Sequence, residues 1–225
     1  FEDKIIFYVG WNRRLEKNTF HSLVTENPFI YNRPFPLQNS RVDDRFAGFK
    51  GTFKSLSYDL RFSNKVVKNM PLYLNDSLDM KRFDVLYDQS LSMLNVHLGL
   101  TIDLSRSLNI GASTDFYVYD PGPNVQRPWH LPTFNLNIFG RYNFKDKVLV
   151  RADLIAMAGA VARQQDGTVK TIKGVADLSL EGEYRFSEYL SAFIQLNNLG
   201  AINYERYLNY PSFGFIGIIG ARLSY

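Results

Sequence analysis

Apolar and polar side chains alternate along most of this chain of 225 residues. The pattern is clearest at the C-terminus, where one side of the segment would carry Phe213, Phe215, Ile219, Ala221, Leu223 and Tyr225. The other side would carry Ser212, Gly214, Gly220, Arg222 and Ser224. Alternation with a period of two indicates β-strands with one apolar face, because successive side chains of a strand point to opposite sides. The chain is therefore predicted to be all-β.

Comparable apolar stripes begin near Val96, Leu108, Phe134, Val148 and Ile172. The alternating segments are about 12 to 16 residues long, whereas strands of soluble proteins have about 5–6. A strand needs about 9–11 tilted residues to cross a bilayer. The opposite sides are too charged for the dry core of a sandwich and suit a wet lumen; they carry Asp103, Ser113, Asp115, Asn135, Asn137, Arg151, Asp153, Asp177, Ser179, Glu181 and Glu183.

The connections between the segments are of two kinds. Short polar turns are predicted at residues 63–65, 105–107, 145–147 and 187–188. Longer links are predicted at about residues 28–43, 75–88, 120–131, 163–170 and 200–210. Short and long connections alternate, as in outer-membrane barrels with short periplasmic turns and long extracellular loops. The fold class predicted is a transmembrane antiparallel up-and-down β-barrel whose C-terminus lies in the periplasm.

The same pattern predicts about eleven strands, near residues 3–13, 18–27, 43–62, 65–75, 89–104, 107–119, 132–144, 147–162, 171–186, 189–199 and 211–225. Single-chain bacterial barrels have an even number of strands. With an odd number the first strand would enter from outside, and upstream strands would be missing. The boundaries are blurred in 65–90, around Pro71 and the acidic run from Asp76 to Asp79. One strand fewer there would permit a complete ten-stranded barrel.

Composition narrows the class of protein further. No apolar run approaches the roughly 20 residues that a membrane helix needs. Aromatic residues make up 15% of the chain, and Tyr and Trp favour the membrane–water boundary. The net charge of +4 is scattered without a basic block, which argues against a nucleic-acid partner. The absence of cysteine fits an oxidising cell envelope, but it also fits many cytosolic proteins.

The last strand ends with a glycine, a hydrophobic residue and a terminal aromatic residue at alternating spacing: Gly220, Leu223 and Tyr225. This resembles the terminal signal that outer-membrane barrels present to their assembly machinery, which would pair with the edge of the strand. The alternative is an ordinary amphipathic strand that ends in tyrosine.

Two stretches carry a family resemblance. In one, Tyr117-Val118-Tyr119 precedes a polar loop with Trp129-His130-Leu131-Pro132, and Tyr142-Asn143-Phe144-Lys145-Asp146-Lys147 follows. In the other, Leu196-Asn197-Asn198-Leu199 precedes Tyr204, Tyr207, Tyr210-Pro211 and Gly214. In order and spacing, residues 41–225 resemble the C-terminal region of TonB-dependent receptors of the kind common in Bacteroidetes.

This resemblance implies a barrel of about 22 strands, of which residues 1–225 would form the C-terminal half. It also implies an N-terminal plug domain, which these residues do not contain. Through that plug the protein would contact an energy-transducing partner in the inner membrane.

Catalytic chemistry has no signature in the sequence. The three histidines are His21, His97 and His130, and spacing fixes no serine or carboxylate beside any of them. A single histidine without a Cys/His cluster makes no metal site. Four aspartates lack the spacing of a calcium loop and are interpreted as a solvated acidic loop: Asp76, Asp79, Asp84 and Asp88. We expect no enzyme, no metal site and no cofactor.

Two predicted loops supply candidate contact residues. Prolines limit the flexibility of the loop at 120–130, and its Arg, Trp and His side chains can stack and form hydrogen bonds. The loop at 200–210 adds a tyrosine cluster. The candidates for contact with an extracellular ligand or partner are Tyr119, Arg127, Trp129, His130, Tyr204, Tyr207 and Tyr210. The alternative is the aromatic girdle that such barrels carry at the membrane interface.

The leading functional hypothesis is the barrel wall of a TonB-dependent receptor-like transporter for a bulky nutrient in the Gram-negative outer membrane. The partners would be outer-membrane lipid, the barrel-assembly machinery, the energy-transducing protein and a surface lipoprotein. The first alternative is a structural or partner-docking barrel in an outer-membrane complex, since a fold does not fix a function. The second is a small complete barrel of the porin kind.

Overall fold

The computed structural model of the protein describes residues 4–31 and 35–224. In these residues the chain forms the helix α1 (Phe20–Glu26) and the strands β1 (Lys4–Glu16), β2 (Ser40–Phe53), β3 (Leu56–Lys68), β4 (Met70–Asn75), β5 (Phe83–Asp88), β6 (Leu91–Asp103), β7 (Leu108–Asp120), β8 (Phe134–Phe144), β9 (Val148–Met157), β10 (Val161–Arg163), β11 (Val169–Thr171), β12 (Val175–Arg185), β13 (Leu190–Asn197), β14 (Glu205–Tyr207), β15 (Tyr210–Pro211) and β16 (Ile216–Leu223).

Ten of these strands form one antiparallel sheet in the order β1-β2-β3-β6-β7-β8-β9-β12-β13-β16. Each sheet strand pairs with the sheet strand that precedes or follows it in the chain, which is an up-and-down topology. The remaining strands form three small hairpins, β4–β5, β10–β11 and β14–β15. The predicted fold class, an all-β antiparallel up-and-down sheet of the barrel kind, is confirmed.

The register of the sheet places the predicted apolar stripes on one continuous face. Leu100 of β6 lies opposite Tyr58 of β3 and Ala112 of β7. Farther along the sheet, Leu178 of β12 lies opposite Leu154 of β9. Residues directly opposite each other on neighbouring strands share a face. The stripes of successive strands therefore merge into an apolar face that runs across the whole sheet, which we call the outer face.

The other face of the sheet, here called the inner face, is polar, and several of its charged side chains are paired across strands. The Nη2 atom of Arg61 lies 2.8 Å from Oδ2 of Asp44. At the other end of the sheet, Nη1 of Arg222 lies 2.7 Å from Oε2 of Glu183. Partly exposed pairs of this kind add little to stability. They do keep the inner face hydrophilic, as a surface in contact with water requires.

Short and long connections alternate along the sheet. The predicted short turns at 105–107, 145–147 and 187–188 are confirmed, and each joins two sheet strands at the same edge. The opposite edge carries five long links, residues 17–39, 69–90, 121–133, 158–174 and 198–215. The predicted long links lie within or overlap these five.

Residues 18–27, predicted as a strand, contain the helix α1 instead. The Thr19 Oγ1 atom accepts a hydrogen bond from the backbone N–H of Ser22 at 3.1 Å, and the Ser22 Oγ atom accepts one from the N–H of Thr19 at 2.9 Å. This reciprocal pair is a capping box, which satisfies donors that a helix start would leave free. Phe20, Leu23 and Val24 also fit the spacing of one helix face. The sheet accordingly has ten strands rather than about eleven.

The predicted turn at residues 63–65 is wrong, because these residues lie inside β3 and pair with β6. The chain reverses at Lys54 and Ser55, where Phe53 pairs with Leu56 and Lys54 has a φ of 54°. The predicted strand 43–62 therefore contains most of β2 and half of β3. Neither a glycine nor a proline marks the true turn, whereas three polar residues in a row imitate one inside β3.

With ten strands in the sheet, the first strand starts at a different edge from the one predicted. β1 begins at the short-turn edge, where β16 also ends, so the expectation that it starts at the opposite edge is wrong. An even number such as ten would permit a small complete barrel. Closure would require β1 to pair with β16, and in the described residues these two strands are the opposite edges of the sheet.

Buried side chains lie mostly in the long links rather than in the sheet. Phe83, Leu72 and Leu208 in the links are at most 2% exposed. By contrast, Phe7 and Val9 on the outer face of β1 are 80% and 84% exposed. The hydrophobic core of this chain therefore sits at one edge of the sheet.

Candidate functional site

The five long links pack against one another at the edge of the sheet and form a folded layer, here called the loop cap. Its described residues are 17–31, 35–39, 69–90, 121–133, 158–174 and 198–215. Three clusters of buried side chains connect all five links. A layer with its own core holds its surface side chains in fixed positions, so the loop cap is the first candidate for a functional site.

The largest cluster is centred on Phe83, the first residue of β5. The rings of Tyr207 and His130 each lie 5.4 Å from the Phe83 ring, both in an edge-to-face arrangement with it. Tyr73 meets Tyr207 edge-on at 5.8 Å, and Leu23 of α1 completes the cluster. Edge-to-face rings of this kind are favourable beyond the area that they bury. This cluster joins the links 17–39, 69–90 and 198–215, and His130 adds a contact from the link 121–133.

The second and third clusters join the remaining links. Trp129 is 3% exposed and packs with Leu72 and Val125. The backbone N–H of His130 donates a hydrogen bond to the carbonyl of Val161 at 2.9 Å, which ties the 121–133 link to β10. Leu208 packs with two residues of the 158–174 link. The predicted contact loop at 120–130 is therefore a packed part of the cap.

A buried carboxylate holds two links together. Asp88, at the end of β5, is 0% exposed, and its Oδ1 and Oδ2 atoms accept hydrogen bonds from the N–H of Gly122 at 3.1 and 3.0 Å. The N–H of Ser90 donates to Oδ1 at 2.9 Å. A Cβ atom on Gly122 would lie 2.4 Å from Asp88 Oδ1, so the close approach requires glycine. The interpretation of Asp88 as part of a solvated acidic loop is wrong, because its charge is satisfied inside the cap.

His130 contacts backbone groups of two other links inside the cap. Its Nδ1–H donates to the carbonyl of Tyr73 at 2.8 Å, and Nε2 faces the N–H of Leu208 at 3.5 Å. Burial lowers the pKa of His130 to about 4, because the charged form would lose its hydration. The neutral ring, with its proton on Nδ1, fits both contacts, so this histidine is placed for packing rather than for proton transfer.

An ion pair that no sequence pattern predicts connects α1 to the last link. Arg206 Nη2 forms an ion pair with Oε1 of Glu26. The hydroxyl of Tyr207 donates to the carbonyl of Glu26 at 3.1 Å. The two partners are 180 positions apart, and no spacing rule relates residues at that distance. Together these contacts join the first and last links.

A cavity of about 430 Å³ lies between the loop cap and the end of the sheet. Its walls carry charged side chains of both signs, including Glu26, Lys173 and Arg206, and the aromatic rings of Tyr73 and Tyr207. A space with this lining can hold a small polar or aromatic molecule through hydrogen bonds and stacking.

The structure divides the candidate contact residues into two groups. Trp129, His130 and Tyr207 are buried at 3%, 7% and 6% exposure and contact protein on most sides. Tyr119 donates its hydroxyl to the carbonyl of Pro132 at 2.9 Å and is partly exposed. Arg127 is exposed on the surface of the cap. Tyr204 and Tyr210 are partly exposed there, and Tyr210 also packs against the cluster that contains Tyr207.

Tyr210 illustrates how the surface group is held. Its ring stacks on Phe29 with the centroids 3.4 Å apart, and its hydroxyl donates to the carbonyl of Lys81. The backbone of Tyr204 donates to Ser212 Oγ at 3.2 Å. Contact of any of these side chains with a ligand stays a prediction.

The residues of the expected assembly signal lie on β16. Gly220 faces the ring of Phe193, which would be 2.6 Å from a Cβ atom at this position, so the glycine makes room for that ring. Leu223 is 75% exposed at the edge of the sheet. Tyr225 lies outside the described residues, and the role of all three as a signal stays a prediction.

Two kinds of feature are absent from the described residues. In residues 4–31 and 35–224, no group of three or more His, Cys, Asp or Glu side chains is arranged to hold a metal ion. Over the same residues, no helix has both the length and the apolar character needed to span a membrane.

Comparison with known proteins gives similarity at the level of the fold. No protein-family model matches this chain, and no curated protein matches its sequence. Among solved structures, the copper transporter OprC is similar to 100% of the chain with a TM-score of 0.72 and 12% sequence identity, and the match covers 38% of OprC.

Two receptor structures give comparable matches. The pyoverdine outer-membrane receptor FpvA from Pseudomonas aeruginosa PAO1 matches 98% of the chain at 12% identity and a TM-score of 0.69, over 34% of its own length. The ferric-catecholate import receptor Fiu from E. coli K12 matches 97% of the chain with the same identity and TM-score, over 33% of its own length.

These neighbours are TonB-dependent receptors and transporters, and the chain has the fold of part of their barrel wall. The expected resemblance is confirmed at that level. The chain spans about a third of the length of these structures.

Proposed function

We propose that this chain is a segment of the wall of a nutrient-uptake channel in the Gram-negative outer membrane, in a TonB-dependent receptor-like transporter. The outer face would contact lipid, the inner face would line the lumen, and the loop cap would lie outside the cell. The observation that carries the proposal is the register of the sheet, which makes one face apolar across ten strands and the other polar.

The height of the apolar face fits a membrane. From Leu94 to Ile102 on β6, every second residue is apolar and lies on the outer face. Eight steps of about 3.4 Å give roughly 27 Å along the strand. With a tilt of about 35–45°, this corresponds to roughly 20 Å across the membrane, close to the apolar band of about 25 Å in outer-membrane barrels.

The proposed orientation in the membrane and the proposed partners follow from the same arrangement. Short turns, including 105–107, would face the periplasm together with the C-terminus, and the assembly machinery would recognise the edge of β16. The energy-transducing inner-membrane protein would act through a plug domain outside residues 1–225. The residues proposed to touch cargo or a surface lipoprotein are Arg127, Tyr204 and Tyr210 on the cap surface, whereas the buried candidates would support them.

The cargo is proposed by class only. The solved neighbours are described as a copper transporter and as receptors for pyoverdine and ferric catecholates. By analogy, the cargo would be a metal ion or a metal chelate that the cell must capture at low concentration. The cavity beneath the cap, with Lys173 and Arg206 beside Tyr73 and Tyr207, would hold the anionic and aromatic groups of such a chelate.

A structural or partner-docking barrel is the second candidate function. The packed loop cap favours it, because a surface fixed by its own core suits a protein partner. A transporter and a docking barrel differ in their dependence on energy, and this difference is measurable.

The test compares cells with and without the natural full-length protein in uptake of radiolabelled iron chelates and copper. Transport predicts uptake that requires the protein and stops when a protonophore collapses the proton gradient. Unchanged uptake, together with co-purification of a partner through the cap, would support the docking role instead.

Sidedness is tested on whole cells with single cysteines, since the 225 residues contain none. Asp166→Cys lies in the cap, in the turn between β10 and β11, and Arg106→Cys lies in a short turn. A membrane-impermeant thiol reagent should label position 166 in intact cells and position 106 only after the outer membrane is permeabilised. Labelling in the reverse order would invert the proposed orientation.

A further inference from the structure

We propose that the outer face binds a lipid that carries phosphate groups, at a site formed by β1, β2, β3 and β6. The acyl chains would lie in an apolar groove, and the phosphates would meet a cluster of basic side chains directly above it. The inference rests on the proposed function in one respect, because it requires the outer face to contact lipid.

The groove has a volume of about 900 Å³ and crosses four strands. Its floor is formed by Ala47 of β2, which lies opposite Val9 of β1 and Phe62 of β3. A methyl group between two large side chains leaves a depression in the outer face. Leu94 and Val96 of β6 form its far wall. Its width and apolar lining suit acyl chains, which favour hydrocarbon surroundings.

Basic side chains occupy the same face one to three rows nearer the loop cap. The row next to the groove contains Arg45, and the following rows contain Arg13 and then Arg41 opposite Lys68. Successive rows on one face are about 6.8 Å apart along the strands. We call these four side chains, all of them exposed, the basic rim.

In the lower part of the basic rim, defined contacts hold the side chains in place around Trp11. The guanidinium group of Arg13 lies 4.1 Å from the centre of the Trp11 ring, and that of Arg45 lies 5.5 Å away. The indole Nε1–H donates to Asp43 Oδ1 at 2.8 Å, and Arg13 Nε donates to Asp43 Oδ2 at 2.6 Å. Asp43 thus orients both arginines and the tryptophan, which is a preferred side chain at the lipid–water boundary.

The upper part of the basic rim lacks such a partner. Arg41 and Lys68 lie directly opposite each other, and like charges in that position repel. Within residues 4–31 and 35–224, neither of them forms an ion pair. Asp43 is the one carboxylate in these three rows of β1, β2 and β3, so the rim keeps an excess of positive charge. A bound anion would remove the repulsion.

The apolar groove and the basic rim together favour a phosphorylated lipid over other occupants. Arginine binds phosphate through paired N–H donors, and basic clusters at a membrane surface attract anionic lipids. A zwitterionic lipid could fill the groove but would not neutralise the rim. Free phosphate could meet the rim but would leave the groove unused. Only a lipid-borne phosphate uses both.

The site is tested on the natural full-length protein, purified from outer membranes in detergent, by native mass spectrometry. The probes are lipid A with two phosphates and phosphatidylethanolamine, each added separately. The unaltered protein should retain lipid A about tenfold more tightly than phosphatidylethanolamine. The double variant Arg41→Ser with Lys68→Ser should lose about tenfold in affinity for lipid A. Lys68→Gln alone should show a smaller loss of affinity for lipid A. This single variant provides the test if the double variant does not fold.

The matched control is Lys50→Ser with Lys65→Ser, which removes two cations from the same strands but from the inner face. It should leave lipid A binding unchanged. Equal retention of the two lipids, an equal loss in the control, or displacement of lipid A by millimolar inorganic phosphate would overturn the site. Uptake is measured separately in the rim variants: normal uptake with lost lipid binding leaves the transport proposal standing.

Discussion

The sheet and the loop cap bury their side chains in different ways. On the outer face, Leu178 of β12 stays 39% exposed although the apolar Leu154 of β9 lies directly opposite it, because strand pairing covers only the flanks of a side chain. In the cap, Phe83 is fully buried by residues from three separate links. The sheet holds together through backbone pairing and leaves its apolar face for lipid, whereas the cap is folded by its own core. Variants of each region should therefore fail in different ways.

The largest expected effect is in the core of the cap. Phe83→Ala should destabilise the cap by about 3–5 kcal/mol, because it removes a fully buried ring and leaves a cavity. The sheet should stay assembled, so that hydrogen exchange and proteolysis increase in the cap links while the folded barrel persists on a gel run without heating. The control is Phe213→Ala, also in the cap, whose side chain is 84% exposed. Loss of the whole barrel in Phe83→Ala would show that the two regions fold as one unit.

The corresponding change in the sheet is Leu178→Arg. If this residue faces lipid near mid-depth, the free energy of unfolding in lipid should fall by about 2–4 kcal/mol. Ser179→Arg, the next residue on the same strand, places the charge on the inner face and should be tolerated. Equal unfolding free energies for the two variants would mean that the faces are wrongly assigned.

The pH dependence of the cap should come largely from His130. Burial lowers its pKa in the folded protein to about 4, below the ordinary value of 6.5. The unfolded state then binds a proton that the folded state does not, so stability falls as pH falls from 6.5 to about 4 and is constant below that range. The expected loss between pH 7 and pH 4.5 is about 2–3 kcal/mol. Hydrogen exchange of the cap at pH 7 and pH 4.5 measures it, and His130→Asn should weaken the pH dependence. A full pH dependence in that variant would assign it to other groups.

The smallest of these effects is expected at the carboxylate that joins two links. Asp88→Ala would leave the buried N–H groups of Gly122 and Ser90 without their acceptor, at a cost of about 1–3 kcal/mol. Faster exchange should be confined to the amides of the 69–90 and 121–133 links. Unchanged exchange at Gly122 would show that water replaces the carboxylate.

The comparison between the two regions also explains what the sequence could predict. In the sheet, burial follows the period-two pattern, so the outer-face position of Leu100 and Leu178 and the short turn at 105–107 were predictable. The pattern failed where it was ambiguous: Phe20, Leu23 and Val24 fit a helix as well as a strand, and the reversal at Lys54 and Ser55 uses no typical turn residue.

Packing in the cap depends on contacts between distant links. Trp129, His130 and Tyr207 were predicted as contact residues from their residue types and their place in predicted loops. Whether an aromatic loop residue is exposed, however, depends on what packs over it. The ion pair between Glu26 and Arg206 joins residues at opposite ends of the chain. No local pattern encodes it, and only the three-dimensional structure brings these groups together.

The central claim is that the apolar face of the sheet contacts lipid and the polar face contacts water. The most direct measurement places a bimane fluorophore on Leu178→Cys or on Ser179→Cys, in protein reconstituted into bilayers. Lipids with brominated acyl chains should quench the label at position 178 and leave that at position 179 nearly unchanged, whereas aqueous iodide should do the reverse. Quenching of position 179 by the brominated lipid, with position 178 protected, would contradict the claim.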